Sequence, residues 1–372
     1  MFAPESSDVA LPMMFLMWFC WGVWPPLRKK GGSDNEHFGL TAVISQNLLC
    51  MFFSFTLGMA NPDGVPNFDS SQFPQMVAQD TSERLPAVLL AVSSGVVICC
   101  AEFVLAKAID VLGVAIAVPT GFGISMLWGT AASYAIEPTA DAKLLFTGLG
   151  ACLLGLFCDA ASKLDTHREE ASQQEQGAMT SDVEACASKV HLASGSDMDR
   201  RRFLLPVVGG LMFGCNPPMQ TAAATIGELS PYVQMVAFML GKLLTIFPLA
   251  CAYAYLCKPG GGGGGSALKL PCAVWSGYVE ACRQRPRALL LDALCGACVG
   301  LGHCMFFVGT PVVSKAVGSI FGTSSLLLSV LLGVVLFKEL AGKSLTQKVL
   351  CALSVSFLSA ALALMSAASL RE

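Results

Sequence analysis

The chain has 372 residues, of which 54% are hydrophobic and only 13% are Asp, Glu, Lys or Arg. That charged share is about half the usual value for a soluble globular protein, and the mean hydropathy is +0.62. The formal net charge of −3 provides no general basicity for binding nucleic acid. Composition therefore excludes a set of soluble domains and predicts an all-α integral membrane protein in contact with the lipid bilayer.

Ten segments are long and apolar enough to cross a bilayer, which requires roughly 20 residues of helix. We predict membrane helices over 9–27, 38–60, 85–106, 111–135, 143–162, 203–226, 231–256, 288–310, 312–337 and 346–368. The first segment is followed, and not preceded, by Arg28, Lys29 and Lys30. It is therefore predicted to be a retained helix and not a cleaved signal peptide.

Two polar segments interrupt the apolar helices. Residues 163–202 are rich in Ser, Glu, Gln and Lys, and we expect a disordered cytosolic loop there. Six consecutive glycines at 260–265 predict a flexible cytosolic linker within 258–287. The predicted organisation is thus one five-helix repeat at 1–162 and a second at 203–372.

The placement of Lys and Arg predicts the orientation. Of the 23 Lys and Arg residues, 18 fall in the connections on one side, four fall on the other side, and Lys242 lies within a helix. Because Lys and Arg concentrate in cytoplasmic loops, we predict exoplasmic termini. We expect the plasma membrane in preference to an internal membrane.

The two halves share short motifs. Gly22-Val-Trp-Pro25-Pro26 matches Gly214-Cys-Asn-Pro217-Pro218, and the helix end at Glu137 matches the one at Glu339. Because each half has five helices, the second copy would be inverted in the membrane. Inverted repeats are typical of secondary transporters, which bind their solute near the midplane between the halves.

These features resemble the drug/metabolite transporter superfamily and, within it, the ureide permease family of plants. The similar segments are Trp21–Pro25, 57–58, 65–68, Gly209–Pro217, 294–309 and 333–339. The resemblance implies proton-linked import of allantoin, uracil or a related heterocycle by alternating access. No G-x-x-x-x-G-K-[ST] motif occurs, so the sequence does not support ATP coupling.

Lys242 lies near the middle of the seventh predicted helix. Either interface is roughly 18–20 Å away at 1.5 Å per residue, beyond the reach of a lysine side chain. A charge at this depth costs at least about 2.5–3.5 kcal/mol, so it must face a wet cavity or pair with a carboxylate. We predict a substrate-binding role, with a structural ion pair as the alternative.

Glu102 and His303 occupy equivalent positions of the two halves. In the permease family both positions resemble the Asn of a Gly-Asn pair, so here two amides are replaced by titratable groups. Carboxylate and imidazole groups carry protons in membrane relays, and we predict proton coupling at both. The alternatives are an ion pair with Lys107 for Glu102 and a hydrogen bond to a backbone carbonyl for His303.

Five uncharged side chains complete the predicted binding site. Trp21 and Trp24 share a helix face and could stack on a flat solute, although an interfacial aromatic belt is the alternative. The Asn216 carboxamide could read a heterocycle or a urea group. Gln46 and Asn47 either line the cavity or bond neighbouring helices.

Four further residues are predicted to be structural. Pro25 and Pro217 each remove a backbone donor from a helix, and Glu137 and Glu339 follow helix ends, where they would cap or orient the next helix. We predict no cofactor and no metal, because Cys295 and Cys298 form a single CxxC without a second ligand pair.

Several functions remain open at this point. A sugar or nucleotide-sugar carrier of the same superfamily is the alternative transporter, and a non-transporting receptor or scaffold is the alternative class. We do not expect an enzyme, because His303 is the only histidine within a predicted helix and no catalytic constellation accompanies it. The predicted partners are a small solute and protons, with a homodimer also possible.

Overall fold

The computed structural model describes residues 4, 6–31, 35–59, 72–112, 114–180, 197–257, 270–336 and 344–369. The regular structure in these ranges is entirely α-helical. The helices are α1 (Ser7–Gly31), α2 (Asn35–Leu57), α3 (Gln72–Glu83), α4 (Leu85–Leu112), α5 (Val114–Ile136), α6 (Ala142–Thr180), α7 (Asp197–Thr225), α8 (Pro231–Cys257), α9 (Leu270–Gln284), α10 (Pro286–Val313), α11 (Lys315–Thr323), α12 (Leu326–Leu336) and α13 (Leu345–Ser369).

Within the described residues, eight segments are long and apolar enough to cross a membrane. They lie in α1, α2, α4, α6, α8, α10, α11 with α12, and α13. The predicted count of ten is therefore not confirmed. Helices α5 and α7 are not among the eight. In α7, prolines, glycines and polar side chains lower the hydropathy of the described residues.

The ninth predicted span, 312–337, is not one continuous helix. Ser314 has a positive φ of 63° and separates α10 from α11. Ser324 and Ser325 then form a turn between α11 and α12. Two helix breaks thus fall within a segment whose apolar composition predicted unbroken helix.

The connections differ from the sequence prediction in two places. Helix α6 continues to Thr180, well into the predicted loop at 163–202, and α9 occupies part of the predicted linker at 258–287. Residues 181–196, the glycine run at 260–265 and Glu339 lie outside the described residues.

The main hydrophobic core is rich in methionine and phenylalanine. Helices α1, α8, α10, α11 and α13 contribute most of its side chains, including Met14, Met239, Phe307 and Phe321. Large apolar side chains such as Phe157 also remain exposed on the outer surface. An apolar exterior is the arrangement expected where the surrounding solvent is lipid.

Helices α4 and α8 cross at two glycines. A Cβ atom built on Gly95 would lie 3.1 Å from the Cα of Gly241, and one built on Gly241 would lie 3.0 Å from the backbone nitrogen of Val96. Any larger side chain would therefore separate the helices. This close crossing holds Lys242, the residue after Gly241, against α4.

Helices α2 and α10 make a similar crossing. A Cβ atom on Gly296 would lie 2.6 Å from the Cα of Ala42, and one on Gly300 would lie 3.0 Å from the Cα of Gln46. The first helix packs along α10, where Trp21 covers Gly302. Glycines of α10 thus let both α1 and α2 pack closely against it.

We predict that Gly241→Ala destabilises the protein although alanine favours helix by about 1 kcal/mol over glycine. The new methyl group would overlap the backbone of α4 at Val92 and Val96. The matched control is Gly150→Ala in α6, where a Cβ atom meets nothing within 4 Å. Thermal unfolding of the detergent-solubilised variants measures both effects, and equal or higher stability of Gly241→Ala would contradict the crossing.

Candidate functional site

Lys242 is the centre of a buried polar contact between three helices. Its Nζ donates hydrogen bonds to Oε1 of Glu102 on α4 and to Oε1 of Gln46 on α2, each at 2.7 Å. The Lys242 side chain is 0% exposed, whereas that of Glu102 is 31% exposed. The ammonium group therefore has a carboxylate partner that can itself be reached from outside the contact.

The ion pair differs from the local pair considered for Glu102. The ammonium group of Lys107 instead lies 5.6 Å from the ring centre of Tyr253. A buried charge without a partner is strongly destabilising. Loss of Glu102 would leave the fully buried Lys242 unpaired, whereas loss of Lys242 would leave a carboxylate that is partly exposed. The pair thus links α8 to α4.

Aromatic rings cover one side of Lys242. Its Nζ lies 5.9 Å from the ring centre of Phe238, which lies 5.3 Å from the ring of His303. The ring of Trp21 is also 5.3 Å from that of His303 and stacks on Phe306 at 5.9 Å. This ring cluster forms an apolar wall beside the ion pair.

His303 and Trp21 share one backbone acceptor. His303 Nδ1 lies 2.8 Å from the carbonyl oxygen of Val299, and Trp21 Nε1 donates to the same oxygen at 3.4 Å. Since a carbonyl can only accept, Nδ1 carries the proton and Nε2 of the neutral ring is an acceptor. The backbone hydrogen bond considered as the alternative for His303 is therefore present.

The remaining predicted binding residues are dispersed. Trp24 is half-buried, and its carbonyl accepts a hydrogen bond from Cys295 Sγ at 3.5 Å. Asn47 is buried and donates to the carbonyl of Val43 at 2.9 Å, so this bond is local to α2. Asn216 lies on α7 and accepts from Ser94 Oγ at 2.5 Å. The structure thus brings Trp21, but not Trp24, into the ring cluster.

The residues predicted to be structural lie along the helices. Pro25 lies within α1, and Pro217 is buried in α7, where its carbonyl accepts from Thr221 at 2.9 Å. Glu137 is half-buried directly after α5, and its backbone nitrogen donates to Ser133 at 2.9 Å.

A second buried polar group joins Asn216, a predicted binding residue, to five residues that the sequence analysis did not single out as binding residues. We call it the amide cluster; its members are Ser94, Asn216, Gln220, Gln234, Thr310 and Lys315. Ser94 Oγ accepts from Gln220 Nε2 at 3.0 Å, and Gln234 Nε2 donates to the backbone carbonyl oxygen of Gln220 at 2.5 Å. Lys315 donates to Gln234 at 3.2 Å and to Thr310 at 3.3 Å.

Lys315 lies near the start of the predicted span 312–337, and it is one of the four Lys and Arg residues that the charge count assigned to the exoplasmic side. It is only 2% exposed, because the helix break at Ser314 turns it into the bundle. The sequence does contain a pattern that marks Gln234, the hydrogen-bond partner of Lys315. Gln234, Phe238 and Lys242 recur every fourth residue and therefore share one face of α8.

Two comparisons with known proteins point to one family. Residues 40–202 match the family model described as ureide permease. The chain is 28% identical to ureide permease 4 of Arabidopsis thaliana over 165 residues, which cover 43% of this chain and 40% of that protein. It is 28% identical to the probable ureide permease A3 of Vigna unguiculata over 160 residues, covering 41% and 40%.

A third match is longer but has a lower identity. Ureide permease 2 of Arabidopsis thaliana is 24% identical over 203 residues, which cover 54% of this chain and 49% of that protein. The chain thus matches about half or less of the length of each of these relatives. The family match includes Gln46 and Glu102 and ends before Lys242. These similarities are to ureide permeases, and they do not confirm the wider drug/metabolite transporter assignment.

We predict that Glu102→Ala destabilises the protein by about 3 kcal/mol, because it leaves the Lys242 ammonium buried without a counter-charge. Replacing both residues, as Glu102→Ala with Lys242→Met, should recover most of that loss. Thermal unfolding in detergent measures the cycle. Lys107→Met serves as the control, and a loss as large in that variant would indicate that Lys107 is the partner of Glu102.

Proposed function

We propose that the protein is a secondary active transporter of a ureide or nucleobase-like heterocycle, working by alternating access with proton coupling. The observation that carries this proposal is the contact of Lys242 with Glu102 and Gln46 in a chain similar to ureide permeases. The proposal retains the multi-pass topology with exoplasmic termini in the plasma membrane.

Repeated helix contacts support two inverted five-helix repeats. Gly95 of α4 packs against the carbonyl of Phe238, and Gly296 of α10 packs in the same way against the carbonyl of Ala42. The two glycines are 201 positions apart, the same offset as Glu102 and His303. The same glycine–carbonyl contact thus occurs twice. In one the glycine comes from the first half and the carbonyl from the second, and in the other the halves are exchanged.

A second pair of contacts follows the same exchange. A Cβ atom on Gly22 would lie 2.7 Å from the carbonyl oxygen of Ser325, and one on Gly214 would lie 2.9 Å from that of Ser125. Gly22 and Gly214 are the first residues of the motifs shared by the two halves. The sequence repeat and the packing repeat therefore agree.

The repeat relation gives the Lys242 contact its significance. Ala42 corresponds to Phe238, and four residues later Gln46 corresponds to Lys242. Lys242 therefore donates its hydrogen bond to its own counterpart. A contact between two equivalent positions lies on the axis that relates the halves, which is where inverted-repeat transporters bind their solute.

The chemistry of this position suits a neutral heterocycle. Lys242 has three N–H donors, and its two described hydrogen bonds leave one for a solute carbonyl. The rings of Trp21 and Phe238 offer a surface on which a flat molecule can stack. One ammonium group with a carboxylate partner would leave a phosphorylated solute without the paired cations it requires.

Proton coupling follows from the partner of Lys242. Protonation of Glu102 would remove the counter-charge of the buried Lys242 ammonium group, which would then be stabilised by another hydrogen-bond acceptor. A bound solute carbonyl supplies one. Solute and proton would thereby bind together, and the halves could change their relative position only when both or neither are present.

The test is uptake into vesicles reconstituted with the full chain. Labelled allantoin and uracil are compared with a hexose, with and without an inward proton gradient. We expect gradient-stimulated heterocycle uptake that falls at least tenfold in Lys242→Met, since one charge-assisted hydrogen bond contributes about 1.5–3 kcal/mol. The control is Lys348→Met, which alters an exposed lysine of α13.

Other results would contradict the proposal. Flux of the hexose alone would favour a sugar carrier and overturn the solute class. Absence of flux for all three solutes in correctly folded wild-type protein would favour a receptor or scaffold. Wild-type uptake by Lys242→Met would remove Lys242 from the binding site.

A further inference from the structure

We propose that Gln220 and Lys315 form a second recognition position for the solute, which reads one N–H donor and one carbonyl acceptor of an amide-like edge. This inference rests on the proposed transport function and adds residues that the sequence analysis did not assign. Gln220 accepts the solute N–H, and Lys315 donates to the solute carbonyl.

The orientation of the Gln220 carboxamide follows from its neighbours. The single hydroxyl proton of Ser94 is donated to Oδ1 of Asn216 at 2.5 Å, so Ser94 Oγ can only accept from Gln220. Nε2 of Gln220 therefore faces Ser94, and Oε1 faces away from it. The hydrogen-bond network fixes which atom remains as the acceptor.

That acceptor has no donor among the described residues. Gln220 is 0% exposed, and its Oε1 is buried without a hydrogen-bond partner in the described part of the chain. A buried polar atom left in this state is destabilising, and native structures satisfy nearly all such groups. An N–H donor supplied by a bound solute would satisfy it.

Lys315 offers the complementary donor. Its two described hydrogen bonds go to neutral acceptors, Gln234 at 3.2 Å and Thr310 at 3.3 Å, so one of its three N–H groups lacks a described acceptor. The rings of Phe306 and Phe307 lie 5.6 Å and 5.5 Å away.

The backbone is arranged to hold Lys315 inward. Ser314 has a φ of 63°, a conformation that is unfavourable for a residue other than glycine. Its hydroxyl accepts from the backbone nitrogen of Val317 at 3.3 Å and so caps α11. This strained residue ends α10 and sets the first residue of α11 against α8 and α10.

Gln234 bonds to both residues of the second position. Its Nε2 donates to the backbone carbonyl of Gln220, and its Oε1 accepts from Lys315. One carboxamide thus links the backbone of Gln220 to the ammonium group of Lys315. A solute with an N–H beside a C=O, as in a ureide or a nucleobase, presents the matching pair of groups.

Helix α8 connects the second recognition position to Lys242, because Gln234, which bonds to Gln220 and Lys315, lies on the same helix as Lys242. Gln234 precedes Lys242 by eight residues, which corresponds to about 12 Å along α8. Phe238 lies between them on the same face and contacts both His303 and Phe307. A solute moving along α8 would exchange the donor of Lys242 for that of Lys315 across this ring.

The test measures discrimination between uracil and its N-methylated analogues in reconstituted vesicles. Wild-type protein should take up uracil at least about tenfold better than the analogue whose methyl group replaces the N–H that Gln220 accepts. Gln220→Met, which keeps the side-chain length but removes the acceptor, should reduce that ratio to within about twofold. Gln79→Met, at an exposed glutamine of α3, is the matched control.

Lys315 provides an independent measurement should Gln220→Met not accumulate in folded form. Lys315→Met should raise the KM for uracil about tenfold, and Lys315→Arg should restore most of the affinity. Folding of each variant is checked by its melting temperature. Unchanged discrimination in Gln220→Met with unchanged KM in Lys315→Met would overturn this inference while leaving transport intact. Absence of uracil uptake in wild type would instead overturn the proposed function, and this inference with it.

Discussion

The structure depends on one buried ammonium group. Lys242 is fully enclosed, and a charge in that position is tolerated only because Glu102 and Gln46 accept its hydrogen bonds. These three residues come from α8, α4 and α2, so the electrostatic requirement of one side chain fixes the relative placement of three helices.

Close backbone packing makes that contact geometrically possible. Gly95 and Gly241 let α4 and α8 touch, and Gly296 and Gly300 do the same for α10 and α2. In lipid there is little hydrophobic force between helices, so such small residues, together with polar contacts, provide the association. The glycines and the ion pair therefore act together, because the glycines set the distance and Lys242 selects the partners.

The sequence was sufficient to predict a helical membrane protein and to single out Lys242. Its central position in an apolar segment is a strong signal, because a charge at that depth is costly unless a counter-charge or water accompanies it. The partner was not determined, since distance along the chain does not show that α8 crosses α4 beside Glu102. Lys107, which is nearer to Glu102 in sequence, remained an equally reasonable partner until the crossing was known.

The amide cluster illustrates what composition cannot show. Gln220 and Gln234 are uncharged and lie within predicted spans, so neither attracts notice as a buried charge does. Lys315 falls near the end of a predicted span, where a lysine is ordinarily exposed. Only the break at Ser314 turns it inward, and a backbone conformation of this kind has no signature in the residue types alone.

The central claim is that Glu102 carries the coupled proton for a solute held by Lys242. The most direct measurement compares two activities of Glu102→Gln in the same vesicles: exchange of labelled for unlabelled solute at equal pH, and accumulation driven by an inward proton gradient. A neutral residue at this position should allow exchange to continue while the gradient no longer stimulates accumulation. Stimulation equal to that of the wild type would contradict the claim.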